Sequence, residues 1–306
     1  MSQAGIRQIA HRVHHGGMRF AMVAAASMPQ LRDRFAAVVR DGDRCDLGRA
    51  ALEIARLEYP DLVAEDSLRE LDALATAIRP RLMRRRPIDD VAVVSAYLFH
   101  ECGFRGDTDH YYDPRNSFLN DVLTRRVGIP ITLSVVLMET STRLGLAVEG
   151  VGFPGHFLVR VAGDESPVLL DPFFGGRPVG REELRERLRA FYGAGHGADV
   201  QRILPQALQA AGTTGILSRM LANLLRIYLE RDDRAHALAA VELMLVLAPD
   251  APEHLRVRGM LYEQLERFDA AAADLRRYLE LAPDGAHAPD ARERLCRLAG
   301  VAVTLH

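Results

Sequence analysis

His156 and Asp171 are the two residues whose types and spacing most readily suggest chemistry. The histidine begins one predicted strand, 156–161, and the aspartate ends the next, 168–171. If Gly163-Asp164 forms a two-residue hairpin loop, the two residues lie directly opposite each other, with Cβ atoms about 4.5–5.5 Å apart. A carboxylate at that distance accepts a hydrogen bond from the imidazole and fixes its tautomer. The alternative is structural, with a polar strand histidine and an aspartate that caps the following turn.

A buried helix and a three-stranded meander are expected to position the pair. Residues 130–144 are apolar nearly all round, which predicts the central helix of a domain. Pro130 suits the first turn of this helix because proline has a fixed φ and no N–H, and Gly145 is the expected C-terminal glycine. A strand over 148–153 precedes the other two. Helices, a buried helix and then an antiparallel meander indicate an α+β domain.

Further helices are predicted on the N-terminal side of this domain. Apolar residues at helical spacing indicate helices from 46 to 82, interrupted by two prolines, and another over 91–99. A short helix over 117–126 is expected to close at Gly128, because glycine readily adopts the conformation that ends a helix.

The C-terminal part of the chain repeats with an offset of 34 residues. Three features recur at that offset, a Leu-Ala-Pro-Asp segment, a tyrosine and an alanine, at Leu247 and Leu281, Tyr228 and Tyr262, and Ala237 and Ala271. This period is typical of tetratricopeptide repeats. Gly259 is a small residue that lets paired helices approach closely. Two units are fewer than the three normally needed for stability, so a capping helix over 288–298 is predicted.

Composition argues against several classes of function. The chain has 306 residues and a net charge of −2, and all its basic residues other than histidine are arginines, as in GC-rich bacterial genomes. This balance gives no electrostatic case for nucleic acid or an anionic membrane, and no apolar run is long enough for a spanning helix, so a cytoplasmic protein is expected. Cys45, Cys102 and Cys296 lack CxxC spacing, and His11 and His15 lack a third ligand nearby, so neither a disulfide framework nor a metal site is predicted.

Two domains are predicted after an N-terminal extension. Residues 1–30 lack acidic side chains and are interpreted as a frayed or partly helical extension, with a composition that also fits transit peptides. The first domain is expected to cover 31–200. The glycine-rich stretch 193–197 begins a linker to the repeat segment, 213–306. No cofactor motif is present, so no cofactor is predicted.

Four segments follow one another along the chain: Arg126-Val-Gly-Ile-Pro130, Leu144-Gly145, Gly155-His156-Phe157 and Leu170-Asp171-Pro172. Together they resemble the transglutaminase-like core, a branch of the papain-like thiol enzymes. The wording of 116–120, 128–133, 150–157 and 171–176 resembles more closely the bacterial SirB family, a transglutaminase-like domain followed by tetratricopeptide repeats. This resemblance covers about 36–180 plus the repeats. The resemblance implies a helix-rich papain-like core with a small antiparallel sheet, then an all-α repeat segment.

The chain departs from the family at the nucleophile. When Gly128 and Leu144-Gly145 are aligned, the family's cysteine position falls on Pro130, which cannot supply a thiolate. The resemblance then implies a general base, His156, and its orienting group, Asp171, without an attacking group. Three other residues are weak candidates for a displaced nucleophile: Cys102, Thr132 and Ser134.

A non-catalytic binding protein is therefore the first hypothesis. The transglutaminase-like domain would bind without cleaving, and the tetratricopeptide groove would dock another protein or peptide. Four arginines assigned to the repeats either favour an acidic partner segment or, as exposed charges on helices usually do, only solvate the helices: Arg219, Arg226, Arg256 and Arg258.

Two further hypotheses remain open. In the first, the chain is a hydrolase or acyl transferase that acts on peptide or amide bonds with the histidine, the aspartate and a displaced nucleophile. In the second, it binds a small molecule or a metal in the same cleft. Added metal ligands could come only from His100, Glu101, His110 and Asp113. Three other residues of the matched segments either bind a ligand or hold the loop before the central helix: Asn116, Asn120 and Arg126.

Overall fold

The computed structural model describes residues 28–83, 86–163, 166–193 and 200–304. The predictions made for 1–27, including His11 and His15, lie outside these ranges. Contacts between Cα atoms divide the chain into two compact units. We refer to residues 38–223 as the core unit, and to 28–37 together with 224–304 as the repeat unit.

Helices dominate the described residues. They are α1 (28–38), α2 (Leu47–Ala55), α3 (Ala64–Ile78), α4 (Pro87–Ala96), α5 (Leu119–Arg125), α6 (Pro130–Arg143), α7 (Arg181–Tyr192), α8 (Val200–Ala207), α9 (Thr213–Glu230), α10 (Arg234–Leu247), α11 (Pro252–Gln264), α12 (Phe268–Leu281) and α13 (Ala288–Thr304). None of these helices combines the length and hydropathy that a membrane span would need.

The central helix α6 is confirmed. It begins at Pro130, and every residue from there to Leu137 is buried, as its apolar sequence predicted. The chain leaves the helix through Gly145, whose φ of 75° is accessible to glycine without steric cost. Helices α2, α3, α4 and α5 and strands of the sheet pack around α6, so it forms the core of the unit.

The end of α5 differs from the prediction. The helix ends at Arg126, which takes the left-handed conformation with φ 60°. Gly128 lies instead in a two-residue strand, β2 (Val127–Gly128), paired in parallel with β1 (Arg105–Gly106). Elements this short carry no periodic pattern, so they could not be predicted from hydrophobic periodicity.

The sheet contains the predicted meander and two additional edge strands. Its members are β3 (Val148–Val151), β4 (Leu158–Val161), β5 (Val168–Asp171), β6 (Arg177–Pro178) and β7 (Ala210–Ala211). They run in the order β6-β5-β4-β3-β7, with every neighbouring pair antiparallel. The α+β class of this unit is thus as expected.

The predicted hairpin register between β4 and β5 is wrong. Val161 pairs with Val168, so residues 162–167 separate the strands where a two-residue loop was expected. The register is shifted by two residues, and His156 precedes β4 instead of lying within it. Because side chains alternate with a period of two, a shift of two keeps both predicted partners on one face of the sheet.

The repeat unit pairs antiparallel helices at the predicted period. Ala237 and Ala271 are fully buried at equivalent positions. A Cβ on Gly259 would lie 3.1 Å from Leu275 Cγ, which confirms that glycine permits a close approach of α11 and α12. A helix, α13, begins at Ala288, the residue at which the capping helix was predicted to begin.

Candidate functional site

His156 is presented by a tight turn between β3 and β4. Its amide donates to the carbonyl of Phe153 at 3.0 Å, and Gly155 has a φ of 69° that glycine adopts readily. Arg219, on α9, bonds to the backbone of this turn. Its Nη2 donates to the carbonyls of Phe153 (3.0 Å) and His156 (2.7 Å).

The structure joins His156 to Asp171. The His156 Nε2 lies 2.8 Å from Asp171 Oδ1, and Asp171 is fully buried while 14% of the histidine side chain is exposed. An ionised carboxylate can only accept hydrogen bonds, so Nε2 carries the proton. Nδ1 is then the ring nitrogen left to act on another group.

Arg187, on α7, completes the surroundings of Asp171 and was missed from the sequence. Its Nη2 donates to Asp171 Oδ2 at 2.8 Å and to Glu183 Oε1 at 2.6 Å. Burial opposes the charged form of Asp171, but the bonds and charges of His156 and Arg187 outweigh it, so the pKa of this carboxyl is lowered. The four-residue spacing of Glu183 and Arg187 indicates an ion pair along one helix, but it does not indicate that Arg187 contacts Asp171.

Aromatic rings surround the exposed side of the imidazole. Phe174 stacks on His156 with centroids 6.0 Å apart, and Phe173 meets it edge-on at the same distance. Tyr111 in turn lies edge-on to Phe173 at 6.0 Å. These rings come from two loops, 111–112 and 172–174, that the sequence analysis did not connect with the histidine.

The two candidate hydroxyls on α6 are bonded to the backbone. Thr132 Oγ1 donates to the carbonyl of Asn116 at 2.7 Å, and Ser134 Oγ donates to the carbonyl of Pro130 at 2.8 Å. Both side chains are fully buried. Neither is hydrogen-bonded to His156 within the described residues.

The candidate thiol of Cys102 is bonded elsewhere. Its side chain is hydrogen-bonded to Tyr97, and burial followed by this bond raises the pKa of the phenol. Burial, and then the charges of Asp46 and Asp43, raises the pKa of Cys45. In the described ranges, no hydrogen bond connects a thiol with His156.

Two of the three open residues before α6 hold local structure. Asn116 is fully buried, donates to Asp107 Oδ2 (2.9 Å) and accepts from Arg125 Nη1 (3.1 Å). Arg126 pairs with Glu70 at 2.7 Å. Asn120 Oδ1 is buried without a hydrogen-bond partner among the described residues.

Two of the four residues considered as metal ligands pair with arginines. Glu101 pairs with Arg81 at 2.6 Å, and Asp113 pairs with Arg115 at 2.6 Å. No three His, Cys, Asp or Glu side chains in the described part of the chain are grouped so that they could hold a metal ion.

Comparison with known families assigns two regions of the chain. A family model described as the transglutaminase-like superfamily matches residues 65–222, and a tetratricopeptide repeat model matches 224–296. The chain is thus of the class in which a transglutaminase-like domain precedes tetratricopeptide repeats. Arg219 therefore lies in the transglutaminase-like domain, where it contacts the His156 turn, and its assignment to the repeats was wrong.

Curated relatives identify the family. A UPF0162 protein of Xylella fastidiosa is 41% identical over 273 residues, covering 87% of this chain and 94% of the relative. A UPF0162 protein of Pseudomonas aeruginosa is 33% identical, covering 83% and 91%, and protein SirB1 of Salmonella typhimurium is 26% identical, covering 86% and 95%. The chain belongs to this SirB (UPF0162) family. No solved structure matches it significantly.

Proposed function

We propose that this chain is a non-catalytic protein-binding member of the family, with a cytoplasmic location. The observation that carries the proposal is Pro130, buried in the first turn of α6, where the resemblance to thiol enzymes would put a cysteine. Proline offers neither a nucleophile nor a donor to the paired His156 and Asp171. The hydroxyls of Thr132 and Ser134 are both used by backbone carbonyls, which supports the loss of the chemical step.

The repeats support a role in protein interaction. Tetratricopeptide arrays bind peptides or helices of other proteins in a concave groove. The near-zero net charge supports a protein partner over a nucleic acid, because nucleic-acid affinity depends on neutralising several phosphates.

A hydrolase or acyl transferase is the second candidate. It is favoured by the hydrogen bond between His156 Nε2 and Asp171 Oδ1, which is the bond that would hold a general base in one tautomer. This candidate needs a nucleophile that reaches Nδ1, and Cys102 is the thiol to test.

The experiment is the pH dependence of iodoacetamide alkylation in the native protein, followed for each cysteine by mass spectrometry. We expect Cys102 to show no fast reaction well below pH 8.5, where ordinary thiols are mostly protonated. Fast alkylation of Cys102 near pH 6 that is lost in His156→Ala would overturn the proposal in favour of the enzyme. A serine-hydrolase fluorophosphonate probe tests the hydroxyls in parallel, with no labelling expected at Thr132 or Ser134.

A further inference from the structure

Every exposed large aromatic side chain among the described residues lies around the His156 turn. We call these the aromatic face: Tyr112, Phe174, Phe191 and Tyr192, with exposed fractions of 47, 50, 56 and 38%. An aromatic surface of this kind is enriched at protein interfaces, where it contributes most of the binding energy.

Two members of the aromatic face pack directly on the turn, and the other two are connected to it through neighbouring rings. Phe174 stacks on His156, and a Cβ added to Gly155 would lie only 2.9 Å from the Phe191 ring. Tyr192 lies edge-on to Phe191 at 5.0 Å. Tyr112 is reached through Tyr111, 5.2 Å away, which contacts Phe173 beside the imidazole.

Two other arginines at this site, Arg177 and Arg187, have carboxylate partners within the domain. Arg187 pairs with Asp171 and Glu183, and Arg177 pairs with Glu183. Because two guanidinium groups act on it, the Arg177 bond first, the pKa of Glu183 is lowered to about 2. These cations are therefore already neutralised by the protein.

Arg219 has no such partner. Among the described residues its guanidinium contacts two backbone carbonyls and the face of the Phe157 ring at 5.7 Å, and no carboxylate lies against it. Both carbonyl bonds use Nη2, so the Nε and Nη1 donors have no hydrogen-bond acceptor in the described structure. Burial lowers the pKa of this guanidinium, and the neighbouring Tyr111, which acts in the opposite direction, does not outweigh it. An incoming anion would compensate for the lost hydration.

We infer that the aromatic face, together with Arg219 at the backbone of the His156 turn, binds an acidic segment of a partner protein. The Asp or Glu carboxylate of the segment pairs with Arg219, and the apolar residues next to it pack on Phe174 and Phe191. This inference rests on the proposed binding function and names its ligand chemistry. The inference assigns one cation, Arg219, to the ligand, and one cation is too few to hold a strand of phosphates, which favours a peptide over RNA.

The test compares two peptides with a fluorescent dye in place of the N-terminal acetyl group, dye-Phe-Leu-Glu-Leu-Phe-amide and its Gln counterpart, by anisotropy with the full-length protein. We expect the Glu peptide to bind about tenfold or more tightly, because a charge-assisted hydrogen bond replaces a neutral one. In Arg219→Met the ratio of the two affinities should fall to about one. Because the affinities for both peptides are measured with the same variant, a general loosening of the turn affects both and leaves their ratio unchanged.

The matched control is Arg160→Met. Arg160 also donates to a backbone carbonyl, that of Leu208, but it already pairs with Glu149 at 2.7 Å. Its loss should leave the Glu/Gln ratio unchanged. A second variant, Phe174→Ala, should weaken both peptides about equally.

Three results would overturn the inference: no binding of the Glu peptide by the wild-type protein, equal binding of both peptides, or a ratio that survives Arg219→Met. Tighter, Arg219-dependent binding of a single-stranded RNA decamer would also overturn it. Mass spectrometry of the recovered peptides separates the two proposals, because cleavage or acyl transfer contradicts the proposed function while leaving the binding result intact.

Discussion

Asp171→Asn should reverse the tautomer of His156 while preserving the geometry of the site. In the wild type both carboxylate oxygens accept, one from His156 Nε2 and one from Arg187 Nη2, each at 2.8 Å. The asparagine can keep its oxygen toward Arg187 only if its NH₂ group faces the imidazole. The neutral ring must then accept at Nε2 and carry its proton on Nδ1.

The energetic effect follows from the same contacts. The Arg187 bond loses its ionised acceptor, and charge-assisted hydrogen bonds contribute about 1.5–3 kcal/mol. Arg187 keeps Glu183 as a partner, so the loss should stay below the roughly 3–5 kcal/mol of an unpaired buried charge. The neutral asparagine oxygen still accepts a hydrogen bond from Arg187, which contributes about 0.5–1.5 kcal/mol, so we expect the free energy of unfolding to fall by about 1–2 kcal/mol in urea titrations.

The tautomer is measured by long-range ¹H–¹⁵N correlation at about pH 8.5, where an ordinary imidazole is neutral. The His156 signals are assigned from the spectrum of His156→Gln. Asp233→Asn is the control, because Asp233 contacts another histidine, His236, at 2.7 Å and asparagine caps helices equally well. An Nδ1–H tautomer in the wild type, or an unchanged tautomer in Asp171→Asn, would refute the reasoning.

Three other outcomes are expected. Because the pKa of Asp171 is lower in the folded than in the unfolded state, its carboxylate contributes fully to stability above about pH 4, near the unfolded pKa. The difference in the free energy of unfolding between the wild type and Asp171→Asn, measured in urea, should therefore shrink as the pH falls further. Gly259→Val should destabilise α11 and α12 by about 1–3 kcal/mol in hydrogen exchange, whereas Gly215→Val, whose Cβ meets open space, should leave them unchanged. Cys45 should be alkylated more slowly than exposed Cys296 at pH 8.5, because burial raises the pKa of its thiol; equal rates would contradict this.

Local patterns were sufficient to predict most of the fold. Pro130 and Gly145 bound a helix whose apolar sequence requires burial, and the 34-residue offset specifies the paired helices of the repeats. The strand register was beyond reach because nothing local fixes the length of the connection between Val161 and Val168. The contact between His156 and Asp171 was nevertheless predicted, because an error of two residues in the strand register leaves each side chain on the same face of the sheet.

The cations of the site could not be found from the sequence. Every basic residue other than histidine is an arginine, so residue type does not distinguish Arg187 and Arg219 from the many exposed ones. Arg187 reaches Asp171 only because α7 packs beside the sheet, and Arg219 reaches the His156 turn from α9, beyond the predicted limit of the domain. Such contacts depend on tertiary packing, which spacing alone does not specify.

The most direct measurement is the alkylation rate at pH 6 of Pro130→Cys, compared with the wild type and with the double variant that also carries His156→Ala. If only the nucleophile is missing, the new thiol at the start of α6 should react fast, and removing the histidine should slow it about tenfold or more, while the wild-type cysteines stay slow. An introduced thiol that reacts no faster than Cys296, or a wild-type Cys102 that is already fast and His156-dependent, would contradict the account.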